Sequence, residues 1–241
     1  PYGSSLRVGA SVSYSRIIAA LGRELPGLAM ASRTVGSPQI RNRGTVGGNL
    51  GAASPAGDTH PVLLACDAVI EAASVRGTRL IPAADFYAGP KRNVLAPDEL
   101  ITAFWIAAAA GPQQFAKIGT RNAMVIAVCS FALSLWPDGR PGGAGGTVGT
   151  GIGSAGPVPL RAPQAEEFLA GELAAAGLWE SRGALPGAVA GRFGELVAGA
   201  ASPIDDVRGT AAYRRHALSV LARRTLGWAW ESYRKEAGRC G

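Results

Sequence analysis

The chain has 241 residues, 47% of them hydrophobic and 17% charged, with a formal net charge of +7. That length holds one large domain or two modest ones around a buried core, and the composition excludes a disordered chain. No apolar run is long enough for a membrane span, and the opening PYGSSLRVGA has neither the basic nor the apolar part expected of a secretion signal.

In chain order, SLRVGA (residues 5–10) alternates like a short strand. The next stretch, SYSRIIAALGRELPGLAMASRTV, reads as helical, with Ser13 as a cap and an interruption at Pro26. A polar connection, GSPQIRNR, leads into the glycine-rich RNRGTVGGNLGAASPAGD (residues 41–58). A helical turn or two from Pro61 and a strand over residues 68–72 are expected after it. TRLIPAADFYAGP then gives a strand, a short helix and a turn, and ELITAFWI another strand. Gly111 and Pro112 break the pattern near residue 110.

Beyond the break, QFAKIGTR, the apolar residues 123–136 and TVGTGIGS suggest a small antiparallel sheet. Periodicity alone leaves a buried helix open for the apolar run. Helix restarts at about Pro163 and again over residues 210–236, where Tyr213, Ala217, Val220, Leu221 and Trp228 approximate an apolar face opposite the arginines. The expected class is α+β, in two parts: residues 1–110 and 111–241.

Cys66, Cys129 and Cys240 are few, odd in number and far apart, which argues against a disulfide framework and against a cluster or zinc site on this chain. Cys66 and Cys129 lie in apolar runs and read as core residues, and two histidines make imidazole ligation improbable. A reducing cytoplasm is the expected compartment. The basic residues are spread along the chain, with YRRH and ARR as the one local cluster. Such a basic balance suits nucleic acid, an anionic cofactor or acidic partner subunits, but its spread favours solubility and partner contacts, and neither aromatic interleaving nor a nucleic-acid motif is present.

The glycine cluster is the densest chemical signal. Consecutive small residues can turn their backbone amides into one concavity, which suits a phosphate or pyrophosphate. Thr45 and Asn49 flank the paired Gly47 and Gly48, and Asp58 follows within reach of sugar hydroxyls. A self-contained turn is the competing explanation, favoured on spacing alone. No P-loop lysine accompanies the glycines, and GTGIGS (residues 149–154) lacks both the third glycine and the helix of a dinucleotide fingerprint.

GSPQIRNRGTVGGNLGAASPAGDTHPVLLACDAVI, with SLRVGASVSYSRI before it and FAKIGTRNAM, GPVPLRAPQAEE and ASPIDDVRGTAAYRRH after it, closely resembles the flavin-binding subunits of molybdenum-containing hydroxylases. That family includes the carbon monoxide dehydrogenase medium subunit and the flavin domain of xanthine dehydrogenase, and the resemblance covers nearly the whole chain. It implies a two-subdomain FAD-binding fold of the vanillyl-alcohol-oxidase type, followed by a small C-terminal α/β domain with an antiparallel sheet. It also implies an electron-transfer flavoprotein, an oxidoreductase active only in complex. FAD would take electrons from two [2Fe–2S] clusters on an iron–sulfur small subunit, with molybdopterin on a large subunit.

Carried over residue by residue, Thr45, Val46, Gly47, Gly48 and Asn49 match the family's second FAD loop. Asp58 matches a carboxylate by the ribose and pyrophosphate, Ile101 an apolar position along the flavin, and Lys117 a basic residue near the isoalloxazine. Val35 replaces an aromatic found in some members. No catalytic acid, base or metal ligand is implied. The family also carries an earlier subdomain with another glycine-rich loop. None precedes SLRVGA in this sequence, so the chain as written is expected to hold FAD weakly or to serve as a scaffold without it.

Overall fold

A computed structural model describes residues 5–141 and 143–237. The first half builds an antiparallel sheet from β1 (Ser5–Gly9), β2 (Val69–Ser74), β3 (Gly77–Pro82) and β6 (Leu100–Ala107), in the spatial order β1-β6-β2-β3. Ile70, Ala72, Phe104 and Ile106 bury its inner face. Between β1 and β2 run five short helices: α1 (Tyr14–Ala20), α2 (Pro26–Thr34), α3 (Pro38–Arg43), α4 (Val46–Ala52) and α5 (His60–Ala65). A 3-10 turn (Ala83–Asp85) and a small hairpin, β4 (Tyr87–Gly89) with β5 (Arg92–Asn93), separate β3 from β6.

The second sheet is antiparallel, β7 (Gln113–Ile118), β8 (Cys129–Trp136) and β9 (Thr147–Gly153) in that order. After it come α6 (Pro163–Ala175), α7 (Leu178–Ser181), α8 (Gly187–Ala200) and the long α9 (Ala211–Ala237). Every residue of β8 is buried. Ala132 and Trp136 join the core of the first half, whereas Phe131, Leu133 and Leu135 join a second core with Leu169, Phe193, Leu218 and Leu226. A strand covered on both faces needs apolar residues at successive positions, which is why its sequence shows no helix-or-strand periodicity. The two cores therefore share a sheet.

Several expectations are corrected. Pro26 is no interruption but the first residue of α2, where a missing N–H costs nothing. GSPQIRNR is helical: the Ser37 side chain caps α3 by accepting from the Ile40 N–H, and Pro38 opens the helix. Of the apolar residues 123–136, only those from Cys129 form the strand. On α9, Tyr213 and Trp228 are about half exposed, and Arg214 is buried instead. The packed stripe is Ala217, Leu218, Leu221, Ala222, Leu226, Ala229, Trp230 and Tyr233, a helical repeat offset from the one expected. Cys66 and Cys129 are buried free thiols, and Cys240 lies outside the described residues.

The second glycine run has a packing cause. A Cβ on Gly149 would lie 1.9 Å from the Ala65 carbonyl oxygen, and one on Gly151 would lie 1.9 Å from that of Pro61. Backbone of α5 rests directly on β9, so GTGIG is a helix seat. Asp67, Arg140, Arg161 and Glu166 then tie the end of α5 to β9 and α6 with ion pairs. Among the described residues no helix is long and apolar enough to cross a membrane.

Candidate functional site

The glycine cluster folds as a helix. Thr45 is extended and caps α4, its hydroxyl accepting from the Gly48 N–H at 2.9 Å, while the Asn49 N–H bonds the Thr45 carbonyl at 3.1 Å. This corrects the expectation of a continuous open nest of amides: two of them are used inside the helix. Val46 and Gly47 are buried, and a Cβ on Gly47 would lie 2.5 Å from the Ala10 carbonyl oxygen. Gly47 is therefore required by close packing on the β1–α1 turn. Gly48 and Gly51 have no such cause. Both are exposed; a Cβ on Gly51 would meet nothing within 4 Å, and one on Gly48 only the Thr45 hydroxyl at 3.2 Å. One turn of α4 thus presents bare backbone outward (the kind of surface a ligand can approach closely).

Asp58 and Lys117, expected at opposite ends of a bound cofactor, form a single ion pair. Lys117 Nζ lies 2.6 Å from Asp58 Oδ2 and donates to the Thr34 carbonyl at 3.1 Å; the Thr34 hydroxyl donates to the same carboxylate oxygen at 3.0 Å. Both side chains are more than nine-tenths buried. Burial raises the Asp58 carboxyl above the usual aspartate range, and Lys117 and Thr34 oppose that rise. Asp58 Oδ1 is buried without a hydrogen-bond partner. Asp58 lines a hollow of about 270 Å3 together with Val35, Gly36, Ile40, Asn49 and Ile126.

Asn49 reaches this hollow from α4, its Oδ1 accepting from the Thr59 hydroxyl at 2.7 Å. Tyr14, buried beneath, is kept protonated first by burial and then by the Asp58 charge. His60 is wholly buried and neutral, with burial pushing its pKa down to about 3; its Nδ1 bonds the Tyr87 hydroxyl at 2.8 Å. That bond, with Lys91 N–H to the Ala53 carbonyl and Asn93 Nδ2 to the Gly51 carbonyl, closes the β4–β5 hairpin over the end of α4. A larger cavity of about 700 Å3, lined by Ser54, Pro55, Lys91 and Ser154, shares Ala56 and Ile126 with the hollow of Asp58.

Ile101 is half-buried on β6, beside Thr102, whose carbonyl accepts from the Ala10 N–H. The Ile101 side chain packs against the core of the first half. Sequence reading missed Thr34, Tyr14 and Thr59. Each reaches the site through a fold contact and has no local signature. Among the described residues no group of three or more His, Cys, Asp and Glu side chains is placed to hold a metal ion.

An FAD-sized group fits what the site leaves unsatisfied: bare backbone at Gly48 and Gly51, a buried carboxylate oxygen without a donor, and a trough formed by two adjoining cavities.

Residues 2–107 match the family described as the FAD binding domain in molybdopterin dehydrogenase, and residues 114–229 match the CO dehydrogenase flavoprotein C-terminal domain. The chain is 35% identical over 233 residues to the nicotine 6-hydroxylase medium subunit of Paenarthrobacter nicotinovorans, covering 93% of this chain and 75% of that protein. It is 30% identical to the carbon monoxide dehydrogenase medium chain of Afipia carboxidovorans, covering 93% of this chain and 74% of that one. Among solved structures, reconstituted CO dehydrogenase from Oligotropha carboxidovorans superposes with a TM-score of 0.83 at 26% identity, over 95% of this chain and 77% of that one. With both halves matched in order, and the fold shared, the chain belongs to the family of FAD-binding medium subunits of molybdopterin dehydrogenases.

Proposed function

We propose that the chain holds FAD against α4 and the Asp58–Lys117 pair and works as the electron-transfer subunit of a molybdenum-containing hydroxylase. Residues 1–110 would be the second subdomain of the FAD-binding domain and residues 111–241 the C-terminal flavoprotein domain. Its partners would be an iron–sulfur small subunit and a molybdopterin large subunit, in the cytoplasm. The observation that carries this reading is Asp58: a buried carboxylate with one oxygen paired and the other without a donor, at the edge of a hollow.

Bound FAD supplies the redox chemistry, accepting electrons and passing them on. The chain's own residues bind and orient. Thr45 sets the start of α4, so that Gly48 and Gly51 face outward as bare backbone. Asp58 Oδ1 would accept from a hydroxyl of the cofactor, and Lys117 opposes the rise that burial imposes on that carboxyl. Asn49, with its Oδ1 occupied by Thr59, has its amide nitrogen left to donate. Tyr14, Thr34 and Thr59 hold the arrangement from below. No catalytic acid or base is assigned among these residues.

The decisive comparison is between adjacent glycines. Gly48→Val is expected to leave the melting curve near that of the parent and to strip the flavin absorbance from the purified protein. Gly47→Val should prevent folding, because its Cβ would collide with Ala10 backbone. Full flavin content in a folded Gly48→Val protein would sink the assignment of α4 to the cofactor.

A further inference from the structure

A further cavity, of about 430 Å3, is lined by Lys117, the α2–α3 turn and residues 119 and 121–125. Arg33, Arg41, Lys117 and Arg121 line it, and no acidic residue does. Some arginines elsewhere find carboxylates, among them Arg7 with Glu71, Arg79 with Glu99, Arg161 with Glu166 and Arg214 with Asp206. Among the described residues, Arg33, Arg41 and Arg121 have none, although they share one concavity where their mutual repulsion is uncompensated.

The cavity is also built. Arg41 Nη1 donates to the carbonyls of Val35 at 3.1 Å and Gly36 at 2.9 Å, which fixes its guanidinium and leaves its other N–H groups to point elsewhere. Arg121 is pinned on the Met124 carbonyl. Lys117, more than nine-tenths buried, has used two of its three ammonium donors, on Thr34 and Asp58. Pro38, Met124 and Val125 supply an apolar wall. Three fixed or flanking guanidinium groups and a buried ammonium are the donor set that a phosphate dianion requires, with forked N–H pairs matching its oxygens.

We infer that this arginine-lined cavity binds a phosphate-bearing organic anion distinct from FAD, its phosphate between Arg33, Arg41 and Arg121 and its body on Pro38, Met124 and Val125. No residue of α4 lines this cavity, but it shares Gly36, Met124 and Val125 with the hollow of Asp58, and its Lys117 bonds the Asp58 carboxylate. An anion here sits next to the ion pair that faces the hollow of Asp58, which places it to report on or tune the cofactor.

The test titrates inorganic pyrophosphate into the flavin-loaded full protein by calorimetry at fixed ionic strength, with flavin content read separately from the absorbance. The expected result is saturable binding that leaves the flavin in place. Affinity should weaken on the order of tenfold or more in Arg33→Gln, whose side chain holds no backbone group, and in Arg41→Gln. Circular dichroism confirms that each variant is folded, and Arg33→Gln carries the test if loss of the Arg41 bonds disturbs the turn. Absence of binding, equal affinity in Arg33→Gln, or release of flavin by pyrophosphate would each overturn the inference. A protein that binds pyrophosphate but no flavin would leave the phosphate site standing and remove the cofactor reading instead.

Discussion

Asp58 and Lys117 lie 59 positions apart, and each is unremarkable in its own stretch of sequence. Their pairing makes the two side chains unequal under mutation. Lys117→Met leaves a carboxylate buried without its counter-charge, a loss of about 3–5 kcal/mol where ionisation persists. Losing the lysine raises the Asp58 pKa further, so at low pH the residue is buried neutral and the loss shrinks. As pH rises through that pKa the buried charge appears and the loss grows. Chemical denaturation of parent and variant at pH 5 and pH 8 checks this, with the larger difference expected at pH 8. Asp58→Asn does the opposite electrostatically: it leaves the Lys117 charge uncompensated and is expected to raise the reduction potential of the bound flavin, read by redox titration. An unchanged potential would mean that the ammonium is screened from the cofactor. The sequence made both residues candidates through the family resemblance, but nothing in residue order showed that they share one bond.

At the scale of elements, the cap and proline chemistry in the sequence marked helix starts, although the proline at the head of α2 was read as a break. The glycine-rich α4 was illegible as a helix because glycine has the weakest helix propensity of any residue except proline. The fold overrides that propensity with the Thr45 cap and with Val46 and Leu50, both fully buried. Gly51→Ala should therefore stabilise the cofactor-free protein by about 1 kcal/mol, since its Cβ meets nothing, and raise the melting temperature by about 2–4 °C. The gain should vanish or reverse in the flavin-loaded form if the cofactor lies on that face. The first sheet carries a separate electrostatic tie. Glu71 on β2 accepts from Arg7 on β1 and from Thr102 and Trp105 on β6, chiefly the Arg7 bonds holding its carboxyl down to about 2. A carboxyl lowered on folding contributes stability that is present above the unfolded value and lost as pH falls toward the folded one. The parent should thus lose more melting temperature between pH 5 and pH 2.5 than Glu71→Gln does, and equal losses would remove Glu71 from the acid response.

Taken whole, the molecule is two cores sharing the sheet β7–β8–β9, and α5 is the element that clamps them. Residues of β8 alternate between the cores, and α5 brings Pro61 and Ala65 backbone onto β9 at the glycines. The sequence divides the chain near residue 110, where Gly111 and Pro112 mark a chain break, and β8, covered on both faces, joins the parts across it. A seam of this kind makes the halves mutually dependent. Gly151→Ala adds a single methyl at a point where Pro61 backbone cannot move without dislodging α5 from β8 and β9, so overpacking of about 1–3 kcal/mol or more is expected. Because α5 also carries His60 and follows directly on Asp58, the displaced helix should carry the site with it. The expected outcome is a lower midpoint seen alike by probes in both halves, such as Trp136 in the first core and the Trp179–Trp230 pair in the second, together with reduced flavin content. If Gly151→Ala instead melts the two halves in separate steps while flavin stays bound, the shared sheet is not what holds the site in place.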